Sequence, residues 1–405
     1  MTGRVERSQE DFLSGYDDHA EVVTIRDRRS SEPRRIVRRD LRDLVPLWRH
    51  RFQPWHPKVR AMLRRDRNLT LTLDVRLQVR ADQLLRETLA AAQLERGAVV
   101  VMDAENGELL ACVSAPAPEG AMRGDDSRLA TSDSLLMDRA RFGLYPPGST
   151  FKLVAAAAAL TREPELAAAR FNCHPLADGR AGAVVEGRPV RDDVGHRAHG
   201  TIDMHEAMIV SCNAYYAQLG RAMGWPALRE MGRRFGISTG DPQDEPAQRA
   251  HAIESAFGQA DVVATPLAMA RVAATMAAGG RQSSPHSVLR PAPVLADSVV
   301  IAPGVAGRIA SMMRGVVVRG TGSRIAAVQP AIAGKTGTAQ IEGGASHAWF
   351  IGFAPYGEGA PAGGKTSRGR RIAFSILIEN GGYGGTRAAA LAGRIVAEAH
   401  RLGII

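Results

Sequence analysis

Two serines and two lysines of this chain are spaced as acyl-transfer chemistry would need them. In Tyr145-Pro146-Pro147-Gly148-Ser149-Thr150-Phe151-Lys152, proline and glycine lead into an alanine-rich run, a helix-start signal. The spacing puts Ser149 at the positive end of a helix dipole, among backbone N–H groups with no helical partner. Lys152, one turn on, shares that face and can reach the Ser149 hydroxyl. A serine hydroxyl is a weak nucleophile until an adjacent base takes its proton. A lysine can be that base only when burial or another cation lowers its pKa. Taken alone, the pair reads better as a capping serine and a surface lysine.

Two other short segments bear on that choice. Ser211-Cys212-Asn213 lies between helical stretches at Met204–Val210 and Ala214–Met223, and by itself it is a turn. Lys335-Thr336-Gly337-Thr338 follows Ala331-Ile332-Ala333-Gly334 and enters a strand. One cation and two hydroxyls on a strand, with glycine permitting close backbone approach, suit an anionic peptide end laid along a sheet edge. The plain alternative is an edge strand guarded by a lysine. Lys365-Thr366-Ser367 is a near match, but it falls in the Gly/Pro-rich loop Tyr356–Gly369 and enters no strand, so it is set aside. The chain has only four lysines (Lys58, Lys152, Lys335 and Lys365) and five asparagines. With so few, the three segments coincide by chance in roughly one chain in a thousand. They are therefore read as one site.

The elements that must carry these residues begin at Leu69. Residues 1–68 are charged and lack sustained periodicity, a basic tail or the remnant of a small N-terminal module; 69–405 is expected to be the catalytic domain. Leu69, Leu71 and Leu73 alternate with threonines, as in a half-buried strand. Helical spacing follows over Asp74–Glu95. Gly97–Met102 and Glu108–Val113 flank a turn at Asn106-Gly107, the pattern of a hairpin. The middle, about 136–275, reads as mostly helical. Strands return at Ala333–Ile341, Ala348–Phe353 and Arg371–Ile378, and an amphipathic helix closes the chain at Thr386–Leu402. Strands from both ends and helices from the middle predict an α/β protein of the α+β type: an antiparallel sheet flanked by helices, with a mostly helical insert.

Composition narrows the function classes. With 405 residues, 45% hydrophobic and 23% charged, the chain is neither disordered, collagen-like nor a coiled coil. Net charge is +10, and residues 1–70 supply +6 of it, 17 basic against 11 acidic. That basic stretch is nearly matched in acids, as in a solvated or juxtamembrane segment. With no zinc-finger spacing, RNP-like block or basic heptads, no nucleic-acid partner is expected. Three cysteines, Cys112, Cys173 and Cys212, make no disulfide framework. Residues 1–60 hold no apolar signal-peptide region. The longest apolar run, Leu153–Leu160, is eight residues, short of the ~20 of a spanning helix.

The ordered set resembles the penicillin-recognising serine acyltransferases, and most closely the transpeptidase domain of class B penicillin-binding proteins. The resemblance runs over about Leu69–Leu402. It includes Leu71-Thr72-Leu73-Asp74 with Leu77-Gln78, the three motifs, Gly258-Gln259 with Thr265-Pro266-Leu267, and His347-Ala348-Trp349-Phe350-Ile351-Gly352-Phe353-Ala354-Pro355. It implies a β-lactamase/transpeptidase-like fold and D,D-transpeptidase activity on peptidoglycan stem peptides. It implies that Ser149 attacks the D-Ala–D-Ala carbonyl and holds the acyl group, and that Lys152 takes its proton. Ser211 would relay that proton toward the leaving amine, and Asn213 would hold the substrate amide. Lys335 would supply positive potential; Thr336 and Thr338, either side of Gly337, would bind the substrate carboxylate. The N–H groups of Ser149 and Thr338 would form the oxyanion hole. β-Lactams would acylate Ser149 as substrate mimics, with no metal or organic cofactor required.

Some points stay open on this reading. Arg162-Glu163-Pro164-Glu165-Leu166 resembles the deacylating stretch of class A β-lactamases but precedes Ser211 instead of following it, and is read as helix-end chemistry. Asp178, Asp193, His199 and Cys212 have spacing similar to a metal site of some elongation-type class B proteins, and zinc is left as an unassigned ligand. The resemblance also implies a periplasmic or cell-envelope location and a membrane glycosyltransferase as partner, whereas no signal peptide or anchor is read in this chain. The alternatives are a D,D-carboxypeptidase or serine β-lactamase on the same fold, and a non-catalytic β-lactam sensor or wall-synthesis scaffold.

Overall fold

Gly97–Asp103, His347–Ala354 and Ile372–Ile378 are buried at every residue, which requires a sheet covered on both faces. The computed structural model describes residues 20–26, 33–39, 48–64, 68–116, 137–290, 297–341, 343–357 and 370–405. The Lys365 segment and most of the Tyr356–Gly369 loop lie outside them. The chain divides into two units, residues 1–71 with 287–293, and residues 72–286 with 294–405. The first contains an antiparallel pair, Ala20–Arg26 with Pro33–Arg39, and a helix at Pro57–Arg64. The alternation from Leu69 yields only a two-residue strand there, Thr70–Leu71, paired with Val288–Arg290.

The second unit is built on a five-stranded antiparallel sheet. Its order is Ala333–Ala339, His347–Ala354, Ile372–Ile378, Gly97–Asp103, Leu109–Ala115, so strands from the two ends of the sequence meet at its centre. The expected α+β arrangement is the observed one. One face meets the helices Val75–Ala91 and Arg387–Arg401. Leu77, Ala81, Leu84, Leu85 and Leu89 form the stripe that packs with Val99, Val101, Phe350 and Phe374. Asp74 caps that first helix, its carboxylate accepting from the N–H groups of Arg76 and Leu77. Alternate residues Ala98, Val100, Met102, Trp349 and Ile351 face the other side, toward the helix Pro266–Ala277.

The middle of the chain is less helical than its sequence suggests. Residues 171–202 fold as a four-stranded antiparallel sheet, ordered Arg188–Arg191, Ala181–Val185, Phe171–Pro175, Gly200–Ile202. Strands of three to five residues are too short to show a period of two, which is why the pattern misleads. The turn chemistry was present in the sequence. Glu186-Gly187 joins Val185 to its partner Arg188, and both turn residues have positive φ, +50° and +75°.

The Ala333–Ala339 strand ends the sheet, so one of its edges is free of strand partners. The segment Gly148–Phe151 and the helix Pro303–Arg319 pack on this strand. The site is assembled at that edge.

Candidate active site

Ser149 sits in a turn of 3-10 helix, Gly148–Phe151, that runs directly into the Lys152–Arg162 helix. Gly148 has φ +52°, and a Cβ there would lie 2.7 Å from the Thr338 carbonyl oxygen. Only glycine lets the turn press against the strand edge in that conformation. From the strand side, a Cβ on Gly337 would come within 2.8 Å of the Thr150 methyl, so glycine is needed in both facing backbones. The approach to Ser149 is braced from below. Trp349 Nε1 donates to the Pro146 carbonyl at 3.0 Å. The Tyr145 hydroxyl and Arg139 Nε donate to Glu379 Oε1 at 2.7 and 2.9 Å.

Ser211 and Asn213 join from the turn between the Met204–Ile209 and Asn213–Met223 helices. Ser211 adopts φ +59°, a left-handed conformation costly for a residue with a Cβ and concentrated at functional sites.

The structure brings the expected lysines and serines together. Lys152 Nζ lies 2.9 Å from Ser149 Oγ, 2.6 Å from the Ser211 carbonyl, 2.7 Å from Asn213 Oδ1 and 3.3 Å from Ser211 Oγ. A neutral amine has two N–H donors and one lone pair. The two shortest contacts, to carbonyl-type oxygens that only accept, use both donors and leave the lone pair for the Ser149 proton. Lys335 Nζ donates to Ser211 Oγ at 2.7 Å and to the Thr336 carbonyl at 2.9 Å. Ser211 Oγ thus stands between the two amines.

Both lysine side chains are 0% exposed. Burial lowers the Lys152 pKa to about 8, while the charges of Asp192 and Asp193 pull it upward. Burial, and then repulsion from Lys152, push Lys335 well below its usual value. Repulsion from Lys152 thus acts on Lys335, whereas the lowering at Lys152 comes from desolvation and not from the help expected of Lys335. Thr336 Oγ1 shares a hydrogen bond with Thr321 Oγ1, and Gly384 N–H donates to Thr338 Oγ1 at 3.4 Å. Thr321 and Glu379 carry no local motif, and only the fold reveals them. Glu163 and Glu165 are exposed at the far end of the serine helix, as helix-end residues would be.

A second cluster adjoins the Ser211–Asn213 turn, and here the sequence expectation needs correction. Of Asp178, Asp193, His199 and Cys212, only the last two meet. Asp178 instead pairs with Arg191 at 2.6 Å, and Asp193 lines the cleft beside Ser149. Cys173 and Asp192 complete the group: one ligand atom from each of Cys173, Asp192, His199 and Cys212 lies within 4.8 Å of all the others. Asp192 Oδ2 is 3.3 Å from Cys173 Sγ and 3.1 Å from His199 Nδ1. Hydrogen bonding from Cys212 lowers the Cys173 thiol to about 5, and Asp192 followed by Cys173 raises His199 to about 9. Burial works against the Asp192 carboxylate, but His199 and Lys152 outweigh it and hold its pKa down. Two sulfurs, an imidazole and a carboxylate are a donor set that fits tetrahedral zinc.

Comparison with known proteins agrees with this geometry. The chain is 34% identical over 353 residues to peptidoglycan D,D-transpeptidase PbpA of Mycobacterium tuberculosis, covering 75% of this chain and 67% of that protein. Its fold is similar to a ceftriaxone acyl-enzyme complex of penicillin-binding protein A from M. tuberculosis, with TM-score 0.70, 27% identity, and coverage of 98% and 87% of the two chains. It is also similar to PBP2 of Helicobacter pylori, solved in complex with MreC, with TM-score 0.69, 25% identity, and coverage of 84% and 65%. Residues 97–397 match the penicillin-binding protein transpeptidase domain across all three motifs, and the chain belongs to that family.

Proposed function

We infer that the protein is a peptidoglycan D,D-transpeptidase that works through an acyl-enzyme on Ser149 and is inhibited by β-lactams. The 2.9 Å contact between Lys152 Nζ and Ser149 Oγ, with the amine buried, carries the reading. Lys152, neutral, takes the Ser149 proton as Oγ attacks the carbonyl of the penultimate D-alanine. The oxyanion is received by the N–H groups of Ser149 and Thr338. The C–N bond then breaks, and a proton passes from Lys152 through Ser211 to the departing amine. Lys335, Thr336 and Thr338 bind the leaving residue's carboxylate, and Asn213 holds the substrate amide. An acceptor amine attacks the ester by the reverse path, transferring the stem and freeing Ser149.

The Cys173, Asp192, His199 and Cys212 quartet is proposed as a zinc site with all four positions filled by protein, hence structural. Asp192 Oδ1 also accepts from the backbone N–H groups of Asn213 and Ala214, so the same carboxylate would serve the zinc and the turn. The PBP2–MreC complex supports partners within the wall machinery; a membrane glycosyltransferase is the one proposed, with the catalytic unit outside the membrane. No helix among the described residues is long and apolar enough to cross a membrane.

A test is to supply a D-Ala–D-Ala pentapeptide with a labelled D-amino acid as acceptor. Release of D-alanine with label incorporation is expected. Release with no label at saturating acceptor would instead indicate a carboxypeptidase.

A further inference from the structure

The unit that lacks the lysine cluster has its own concentration of unusual side chains. Residues 48–64 hold Trp48, Phe52 and Trp55 together with Arg49, Arg51, Lys58, Arg60 and Arg64, and no aspartate or glutamate. Two of the chain's four tryptophans fall here; the others, Trp225 and Trp349, are buried in the core of the second unit. Trp48, Phe52 and Trp55 are instead 69, 80 and 70% exposed. A single exposed apolar side chain is ordinary. Three aromatic rings within eight residues, gaining nothing from folding, mark an interaction surface.

The backbone that carries the rings is tied down. Arg51 N–H donates to the Trp48 carbonyl, Gln53 N–H to that of His50 and His56 N–H to that of Gln53, a succession of turns. His50 and His56 stack with ring centroids 3.7 Å apart, closing residues 50–56 into a loop. The Arg51 guanidinium lies 4.2 Å from the Trp48 ring centre and 4.5 Å from that of Phe52, so the two rings share one cation. All five cations are exposed, and Arg49, Lys58, Arg60 and Arg64 have no carboxylate partner among the described residues.

Charge and chemistry together choose the occupant. Five cations spread over a loop and a short helix, with no acid between them, fit a surface that is anionic throughout better than a carboxylate at one fixed place. Indole rings settle at the headgroup depth of a bilayer, half out of water, and arginine and lysine there meet lipid phosphate. We propose that residues 48–64 are an interfacial anchor for a bilayer rich in anionic phospholipid. Trp48, Phe52 and Trp55 enter the headgroup layer, and Arg49, Arg51, Lys58, Arg60 and Arg64 lie against its phosphates. The segment rests on the membrane without crossing it, and its binding is independent of the chemistry at Ser149.

The test adds the full chain to vesicles of phosphatidylcholine, alone or with about one-third phosphatidylglycerol, each made with and without bromine on the upper acyl carbons. At about fivefold per engaged cation, partition onto the anionic vesicles should exceed that onto the neutral ones by at least tenfold in co-sedimentation. Bromine should quench the emission of Trp48 and Trp55 and spare that of buried Trp225 and Trp349. Trp48→Phe with Trp55→Phe should keep the binding and lose the quenching. Trp48→Ala, Phe52→Ala and Trp55→Ala together should weaken binding by about tenfold or more. Arg49→Gln with Arg60→Gln should weaken it on anionic vesicles only. Equal sedimentation with the two vesicle types, or none with either, overturns the proposal. So does binding of the unaltered chain without quenching, which is adsorption by charge alone, and so does unchanged binding in the triple-alanine variant. A dimer in sedimentation velocity that the triple variant dissolves would give the patch to a second copy of the chain instead.

Discussion

Two buried polar clusters share the Ser211–Asn213 turn, and burial is turned to opposite ends in them. Around Lys152, desolvation prevails and brings an amine to about 8, where it can act as a base. Around Asp192, hydrogen bonds and charge prevail over desolvation, holding the carboxylate ionised and the Cys173 thiol near 5. The first cluster gathers groups that would exchange protons on the proposed mechanism, the second groups that would hold a cation. The difference lies in the partners: carbonyl and hydroxyl oxygens surround the lysines, while an imidazole and two thiols surround the carboxylate. Burial alone does not set a group's protonation; the first neighbours do.

Removing the base should break the lysine cluster most severely. Lys152→Ala is expected to slow acylation by benzylpenicillin about a thousandfold, measured by stopped-flow or intact mass. A loss of only a few-fold would move the base elsewhere. The brace beneath Ser149 comes next. Glu379→Gln weakens the partner of Arg139, whose side chain is 2% exposed, and should cost about 3 kcal/mol in urea unfolding. An unchanged midpoint would show that Arg139 does not depend on that charge.

The comparison also sets a pH profile. Acylation needs the neutral amine, whose fraction rises with pH up to the Lys152 pKa of about 8. The rate should climb about tenfold per pH unit below that value and level off above it. A profile that is flat from pH 6 to 9 would mean that Lys152 is not the titrating group. The smallest effect on acylation is expected at the second cluster. Cys173→Ser should abolish stoichiometric zinc in native mass spectra and slow acylation only a few-fold, through the turn that Asp192 supports. Asp178→Asn should keep the zinc, and its loss there would restore the ligand set suggested by spacing.

The two clusters were unequally legible. Ser149, Lys152, Ser211, Asn213 and the Lys335–Thr338 segment are short contiguous motifs, made adjacent by one helical turn, one interhelical turn and one strand, and rarity of lysine raised their signal. The three fully buried sheet strands were legible for a similar reason: each is a mostly apolar segment of seven or eight residues. The cysteine cluster draws Cys173 and Asp192 from a sheet of short strands whose register sequence spacing does not reveal. Asp192 and Asp193 are neighbours, and one residue of register decides which carboxylate enters the cluster and which faces the cleft. Thr321 and Glu379 reach the site only through tertiary packing, so no local pattern announces them.

The account stands on Ser149 being acylated, and one measurement addresses that directly. The purified chain and its Ser149→Ala variant are incubated with benzylpenicillin and followed by intact mass over hours, with peptide mapping of any adduct. The account predicts a lasting one-to-one adduct on Ser149 in the unaltered chain and none in the variant. An adduct lost within seconds, or none on well-folded protein, would contradict it.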